Sequence, residues 1–122
     1  MATIDPLFLY CLTLEDRYHN IEHWTDETHA TIERHAAFLD GLGAKGQLAF
    51  AGRTLYDPGH TDLFGIAVIR ASSMEAAHEM MADDPSVLQG VQRAVIHPFS
   101  MGIRHLSRFE NEAPAGSEEA GS

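Results

Sequence analysis

Residues Leu7 to Leu14 read Leu-Phe-Leu-Tyr-Cys-Leu-Thr-Leu, a near-continuous apolar run of strand length. A strand with one wet face alternates apolar and polar residues; a run that does not alternate belongs to a strand covered on both faces. At 122 residues the chain can build one core but not two. The strand therefore predicts a sheet with the chain's own helices on one face. The other face still carries apolar side chains and needs a cover, and a second copy is the simplest one.

The remaining segments supply the other layers. A polar connection runs from Glu15 to about Trp24, and Thr25 and Asp26 are good N-caps for a helix reaching about Leu42. Glu27 suits the positive end of its dipole, and Gly43 and Gly46 help to end it. Gln47 to Arg53 reads as a strand, Tyr56 to His60 as a turn with Pro58 and Gly59, and Leu63 to Ile69 as the returning strand of a hairpin. Ser72, three residues before Glu75, predicts a capping box for a second helix with Met74, Ala77, His78 and Met81 on its apolar face. Pro85 interrupts that helix, Ser86 to Gly90 turns, and Val91 to Ile96 is a last strand that Phe99 to Phe109 prolongs or follows with an edge strand. From Glu110 the residues are mostly Glu, Ala, Gly and Ser without an aromatic, too little to offset ordering entropy. The expected division is a domain over residues 1–109 and a disordered acidic tail over residues 110–122. The order β-α-β-β-α-β is the ferredoxin-like split βαβ pattern of α+β proteins, with both helices on one face of an antiparallel sheet.

Charge and composition narrow the partners. Eighteen acidic against eight basic residues give a net charge of −10, and four of the acids (Glu110, Glu112, Glu118, Glu119) sit in the tail. The body keeps fourteen acids against eight bases and stays at −6, without a basic stripe. This argues against nucleic acid or an anionic membrane as partner. No apolar run approaches the roughly 20 residues that span a bilayer, and the start Met-Ala-Thr-Ile-Asp-Pro lacks the pattern of a secretion signal. The single cysteine, Cys11, excludes an internal disulfide and fits a reducing cytoplasm; its apolar strand makes it a packing residue.

One residue breaks the apolar logic. Thr28, Ile32, His35, Leu39 and Leu42 recur at steps of four, three, four and three, one face of a helix that is aliphatic apart from Thr28 and His35. A titratable ring there has a buried partner or lines a cavity. Asp83-Asp84-Pro85 closes the second helix and offers a carboxylate, and helices packed side by side can bring the two together. A carboxylate on one imidazole nitrogen fixes the tautomer and supports the other nitrogen as a base near neutral pH. The plain alternatives are a satisfied core histidine and an aspartate that caps the following turn.

Several segments resemble the YciI-like (YCII-related) family: Arg34-His35-Ala36-Ala37-Phe38-Leu39-Asp40-Gly41-Leu42, Gly46 to Gly52, Ser73-Met74-Glu75-Ala76-Ala77, Asp84-Pro85, Gly90 and Val95-Ile96-His97-Pro98-Phe99. No single piece is specific, whereas their order and spacing over roughly residues 5 to 104 are. The resemblance implies a dimeric α+β barrel of ferredoxin-like type, and a cleft built around a His and an Asp that fall on His35 and Asp84. One branch of the family looks like enzymes that remove chloride from hydroxylated aromatic molecules, and the fold is similar to that of muconolactone isomerases. This chain departs from the pattern in its long connection from Glu15 to Trp24, which carries His19 and His23, and in its acidic tail.

Other candidates are weaker. His19 and His23, four apart, would share a metal only with a third ligand that the sequence does not supply, and His29 is expected on a different helical face from His35. His60 and His105 read as surface residues, His78 as packing, and His97 as a minor binding residue. Arg53, at the end of a strand, and Ser86 are candidate substrate contacts, Arg53 as a clamp for a carboxylate. No dinucleotide, phosphate or nucleophile-elbow motif is present, since Gly41, Gly43 and Gly46 close a helix rather than open one. The expectation is a cytoplasmic, cofactor-free homodimer acting on a small organic molecule by lyase-type or isomerase-type acid–base chemistry. A non-catalytic ligand-binding or interaction module is the alternative.

Overall fold

The apolar run forms β1 (Leu7–Leu14) and lies inside a four-stranded sheet with β2 (Leu48–Arg53), β3 (Gly65–Arg70) and β4 (Gln92–Phe99). The computed structural model describes residues 5–111. The strands lie in the order β2-β3-β1-β4, and every pairing is antiparallel. Around them the chain adds α1 (Asp26–Ala44), α2 (Met74–Met81), a single-turn α3 (Pro85–Leu88) and a short α4 (Leu106–Asn111).

The register explains why β1 does not alternate. Tyr10 stands between Ala67 of β3 and Ile96 of β4. With Phe8, Leu12 and Ile69 it packs under Leu39 and Leu42 of α1 and Ala77 and Met81 of α2. The intervening residues Leu9 and Cys11 turn to the opposite face, beside Val68 and Ile66 of β3 and His97 and Val95 of β4. That face is apolar yet open within one chain: Val95 is 52% exposed and Phe50 38%.

Local chemistry sets the helix ends. Thr25 caps α1, with its hydroxyl accepting from Thr28 N–H while the Thr28 hydroxyl accepts from Thr25 N–H. At the other end Gly46 takes a left-handed φ of 76°. Its N–H reaches Gly43 O at 3.0 Å and that of Gln47 reaches Leu42 O at 2.9 Å, which satisfies two helix carbonyls. α2 begins one residue later than its sequence suggests. Ser73, not Ser72, is the cap, its hydroxyl accepting from Ala76 N–H at 3.0 Å. Glu75 then stands too close for a capping box. The buried face of this helix passes through Ala77 and Met81, leaving His78 exposed rather than packed.

Two further corrections concern the C-terminal part. After β4 the chain forms neither a longer strand nor an edge strand but α4, whose Leu-Ser-Arg-Phe-Glu-Asn sequence has no β-branched residue to oppose helix. That helix includes Glu110 and Asn111, the first two residues assigned to the tail; the rest of the tail lies outside the described residues.

The connection after β1 folds into two 3-10 turns, Asp16–His19 and Ile21–His23. It holds itself by side chains on backbone carbonyls: Trp24 Nε1 donates to Tyr18 O at 2.8 Å, His19 Nε2 lies 3.1 Å from Leu14 O, and His23 Nδ1 lies 2.9 Å from Arg17 O. The turn before β3 nests on it so closely that a Cβ at Gly59 would lie 2.8 Å from His19 O. Among the described residues no helix is long and apolar enough to cross a membrane.

Candidate active site

Pro85 is where the site begins. Proline lacks an N–H and biases the preceding residue away from helical geometry, so α2 cannot run on. Asp84 is extended (φ −61°, ψ 118°) and becomes the cap of α3, its carboxylate accepting from Ser86 N–H at 2.9 Å. The same turn points the carboxylate under α1, which packs against α3. There His35 Nδ1 lies 2.9 Å from both Asp84 oxygens.

The carboxylate is buried completely, and its lone pairs are taken. Oδ1 also accepts from the Ser86 hydroxyl at 3.0 Å, and Oδ2 accepts from the Tyr10 hydroxyl at 2.9 Å. Burial alone would raise the Asp84 pKa. The hydrogen bond and charge of His35, the Ser86 N–H and the Tyr10 hydroxyl outweigh it and hold the group below its ordinary value of 3.8. Tyr10 is pushed the other way, by burial first and then by the charge of Asp84 and the bond to it, so the phenol stays protonated and remains a donor.

His35 is the exposed edge of this network, with 13% of its side chain accessible. Each of its hydrogen bonds uses Nδ1. The ring borders a cleft of about 700 Å3 between α1, the end of β1 and the β2–β3 hairpin. With Nδ1–H donated to Asp84, Nε2 carries the lone pair, the arrangement of a general base. Leu12, Ile32 and Leu39 supply apolar wall, and Trp24 and Tyr56 supply aromatic surface.

The remaining candidates divide clearly. Arg53 lines the cleft as its one Arg or Lys, paired in β2 with Gly65, and has no acidic partner among the described residues. Asp40 is the one carboxylate on the wall. Ser86 does not line the cleft: it is fully buried, its hydroxyl donates to Asp84 and lies 3.4 Å from His35 Nδ1. His29, expected on another face, borders the same cleft because the cleft follows α1 over more than a turn; its ring packs 5.1 Å from Trp24. His60 stacks on Tyr56 at 4.0 Å, and His97 and His105 are exposed. No group of three potential metal ligands occurs among the described residues. The apolar run of β1 hides the role of Tyr10, although a core-facing tyrosine brings a hydroxyl that needs an acceptor.

Comparison with known proteins adds a family and a fold. The sequence model described as YCII-related domain matches residues 8–100. Among curated proteins none matches this sequence significantly. The structure is similar to that of 5-chloro-2-hydroxyhydroquinone dehydrochlorinase from Burkholderia phenoliruptrix, in complex with 2,5-dihydroxybenzoquinone. The two share 20% identity over 79% of this chain and 95% of that one, with a TM-score of 0.58. It is also similar to SnoaB, a cofactor-independent oxygenase from Streptomyces nogalater (14% identity, 84% of this chain and 97% of that one, TM-score 0.45).

Because the folded-state pKa of Asp84 is depressed, its contribution to stability is complete above the unfolded value. It is lost as pH falls through the folded one. Replacing Asp84 by Ala strands the donors of Tyr10, Ser86 and His35 and is expected to cost about 3–5 kcal/mol at neutral pH. Denaturant melts from pH 7 down to 3 should show this gap narrowing below about pH 4; a gap that holds constant counts against an ionised Asp84.

Proposed function

Because this chain belongs to the YCII-related domain family and presents His35 Nε2 to a cleft with Nδ1 held on a buried carboxylate, we propose that it is a small-molecule enzyme working by acid–base chemistry. His35 takes a proton from a small organic substrate at Nε2. Asp84 fixes the tautomer and carries the opposite charge to the imidazolium that forms. The electron pair released from the substrate then expels a leaving group such as chloride, a lyase reaction, or shifts along the substrate so that His35 returns the proton from Nε2 at a neighbouring position, an isomerase reaction. Neither of these needs a redox cofactor. The His35–Asp84 contact is the observation that carries this reading.

The cleft suggests the substrate's character. Trp24 and Tyr56 suit a planar ring, and Arg53, unpaired among the described residues, suits a carboxylate, phenolate or enolate. The dehydrochlorinase likeness supplies a starting panel: 2,5-dihydroxybenzoquinone as a binding probe, and chlorinated hydroxyhydroquinones with chloride release as the readout. We also read the β-α-β-β-α-β order as ferredoxin-like and the open sheet face as a homodimer interface of the α+β barrel type.

On a turned-over member of the panel, His35→Gln should lower turnover by roughly 100- to 10,000-fold with the melting temperature preserved. A folded, fully active variant would sink the catalytic reading; an inert protein whose only response is a lower melting temperature belongs to the non-catalytic alternative. Arg53→Gln should raise KM by roughly 10- to 100-fold, with less effect on kcat. Sedimentation velocity should give about twice the 13.4 kDa chain mass; a clean monomer would remove the sheet-to-sheet dimer.

A further inference from the structure

Every other core-facing member of β1 is hydrocarbon: Phe8, Leu12 and Leu14 fill the space under the helices without a polar atom. Tyr10 alone brings a hydroxyl to this layer. It is 1% exposed and does not border the cleft, so it touches no substrate. A phenol buried among aliphatic side chains costs free energy unless an acceptor meets it. Asp84 Oδ2 meets it at 2.9 Å, on the oxygen that the Ser86 hydroxyl leaves untouched.

We infer that Tyr10 is a positioning residue of this site: its hydroxyl holds Asp84 Oδ2 and limits how much of the carboxylate's charge falls on the His35 ring. The inference rests on reading His35 as the base. A carboxylate has about four lone-pair positions. Here Ser86 N–H and hydroxyl occupy Oδ1, Tyr10 occupies Oδ2, and His35 Nδ1 lies 2.9 Å from each oxygen. Each donor draws charge from the carboxylate and weakens its pull on the imidazolium. Without the phenol more charge faces the ring, and the protonated ring, which is not a base, gains population. Burial and the charge of Asp84 keep the phenol protonated, so it cannot exchange roles with His35.

The other charged and titratable neighbours are few. His29, Asp40, Arg53 and Tyr56 line the cleft that His35 borders, while Arg34 on α1 turns away to Glu27 at 2.7 Å. All of these are unchanged by a substitution at position 10, so a comparison of variants isolates the hydroxyl.

The test needs no substrate. The full chain is labelled with 15N-histidine, and the His35 ring signals are identified by their loss in His35→Gln. Tyr10→Phe should raise the pH at which those signals titrate by about half a unit to one unit. The other seven histidines should stay put. Site-specific 3-fluorotyrosine at position 10, nearly isosteric and a stronger donor, should move the His35 midpoint down. Should Tyr10→Phe not fold, the fluorinated protein decides alone. An unmoved His35 midpoint in the folded variants, or a shift of the same sign in both, overturns the inference. Failure of the acid–base reading shows differently, as a His35→Gln protein that retains activity on the panel.

Discussion

A carboxylate with no access to water has to be surrounded by donors, and much of this molecule is arranged around that need. Asp84 is the one charged residue fully buried among the described residues. Its oxygens are met by β1 through Tyr10, by α1 through His35 and by the first turn of α3 through Ser86. These three elements are far apart in sequence, with Tyr10 and Asp84 separated by 74 positions. An isolated ion at this depth would cost several kcal/mol, so the network has to form as a whole. Sheet and helices are thus held in register at the point where α1 borders the cleft.

The same network has a chemical face. Nδ1 of His35 is committed to Asp84, and every structural contact of the ring lies on that side. The other nitrogen is left toward a space walled by hydrocarbon and aromatic rings, with Arg53 on the hairpin side. The self-locked connection between β1 and α1, nested against Gly59, sets how the cleft is bounded near Trp24 and Pro58.

Much of the fold was legible because it rests on local periodicity. The apolar run of β1 marks a strand with side chains of the same character on both faces, and its bounds agree with the structure. The Thr25 cap and the glycine ending of α1 follow from backbone chemistry that acts within a few residues. His35 stood out as a polar ring on an aliphatic stripe. Sequence and structure part where two local solutions are nearly equal: Ser72 and Ser73 both suit a cap, and the segment after Phe99 has no partner strand to hold it extended. His78 lies exposed rather than packed, and His29, on its own face of α1, still reaches the cleft. Helical spacing gives an angle about the axis, not the width of the cleft or the depth of the core.

The sequence by itself determined the order of the four strands and two main helices, the apolar character of both faces of β1, the break at Pro85 and the presence of an imidazole on a core-facing stripe. These are consequences of torsion preferences and apolar spacing, which act over a few residues. Tertiary structure alone decided that Tyr10 completes the carboxylate's shell, that the Ser86 hydroxyl donates to Asp84, and that Arg53 and His29 share a cleft with His35. Those relations depend on strand register and on how α1 lies over α3. Both are set by packing between segments that carry no mark of one another in the chain.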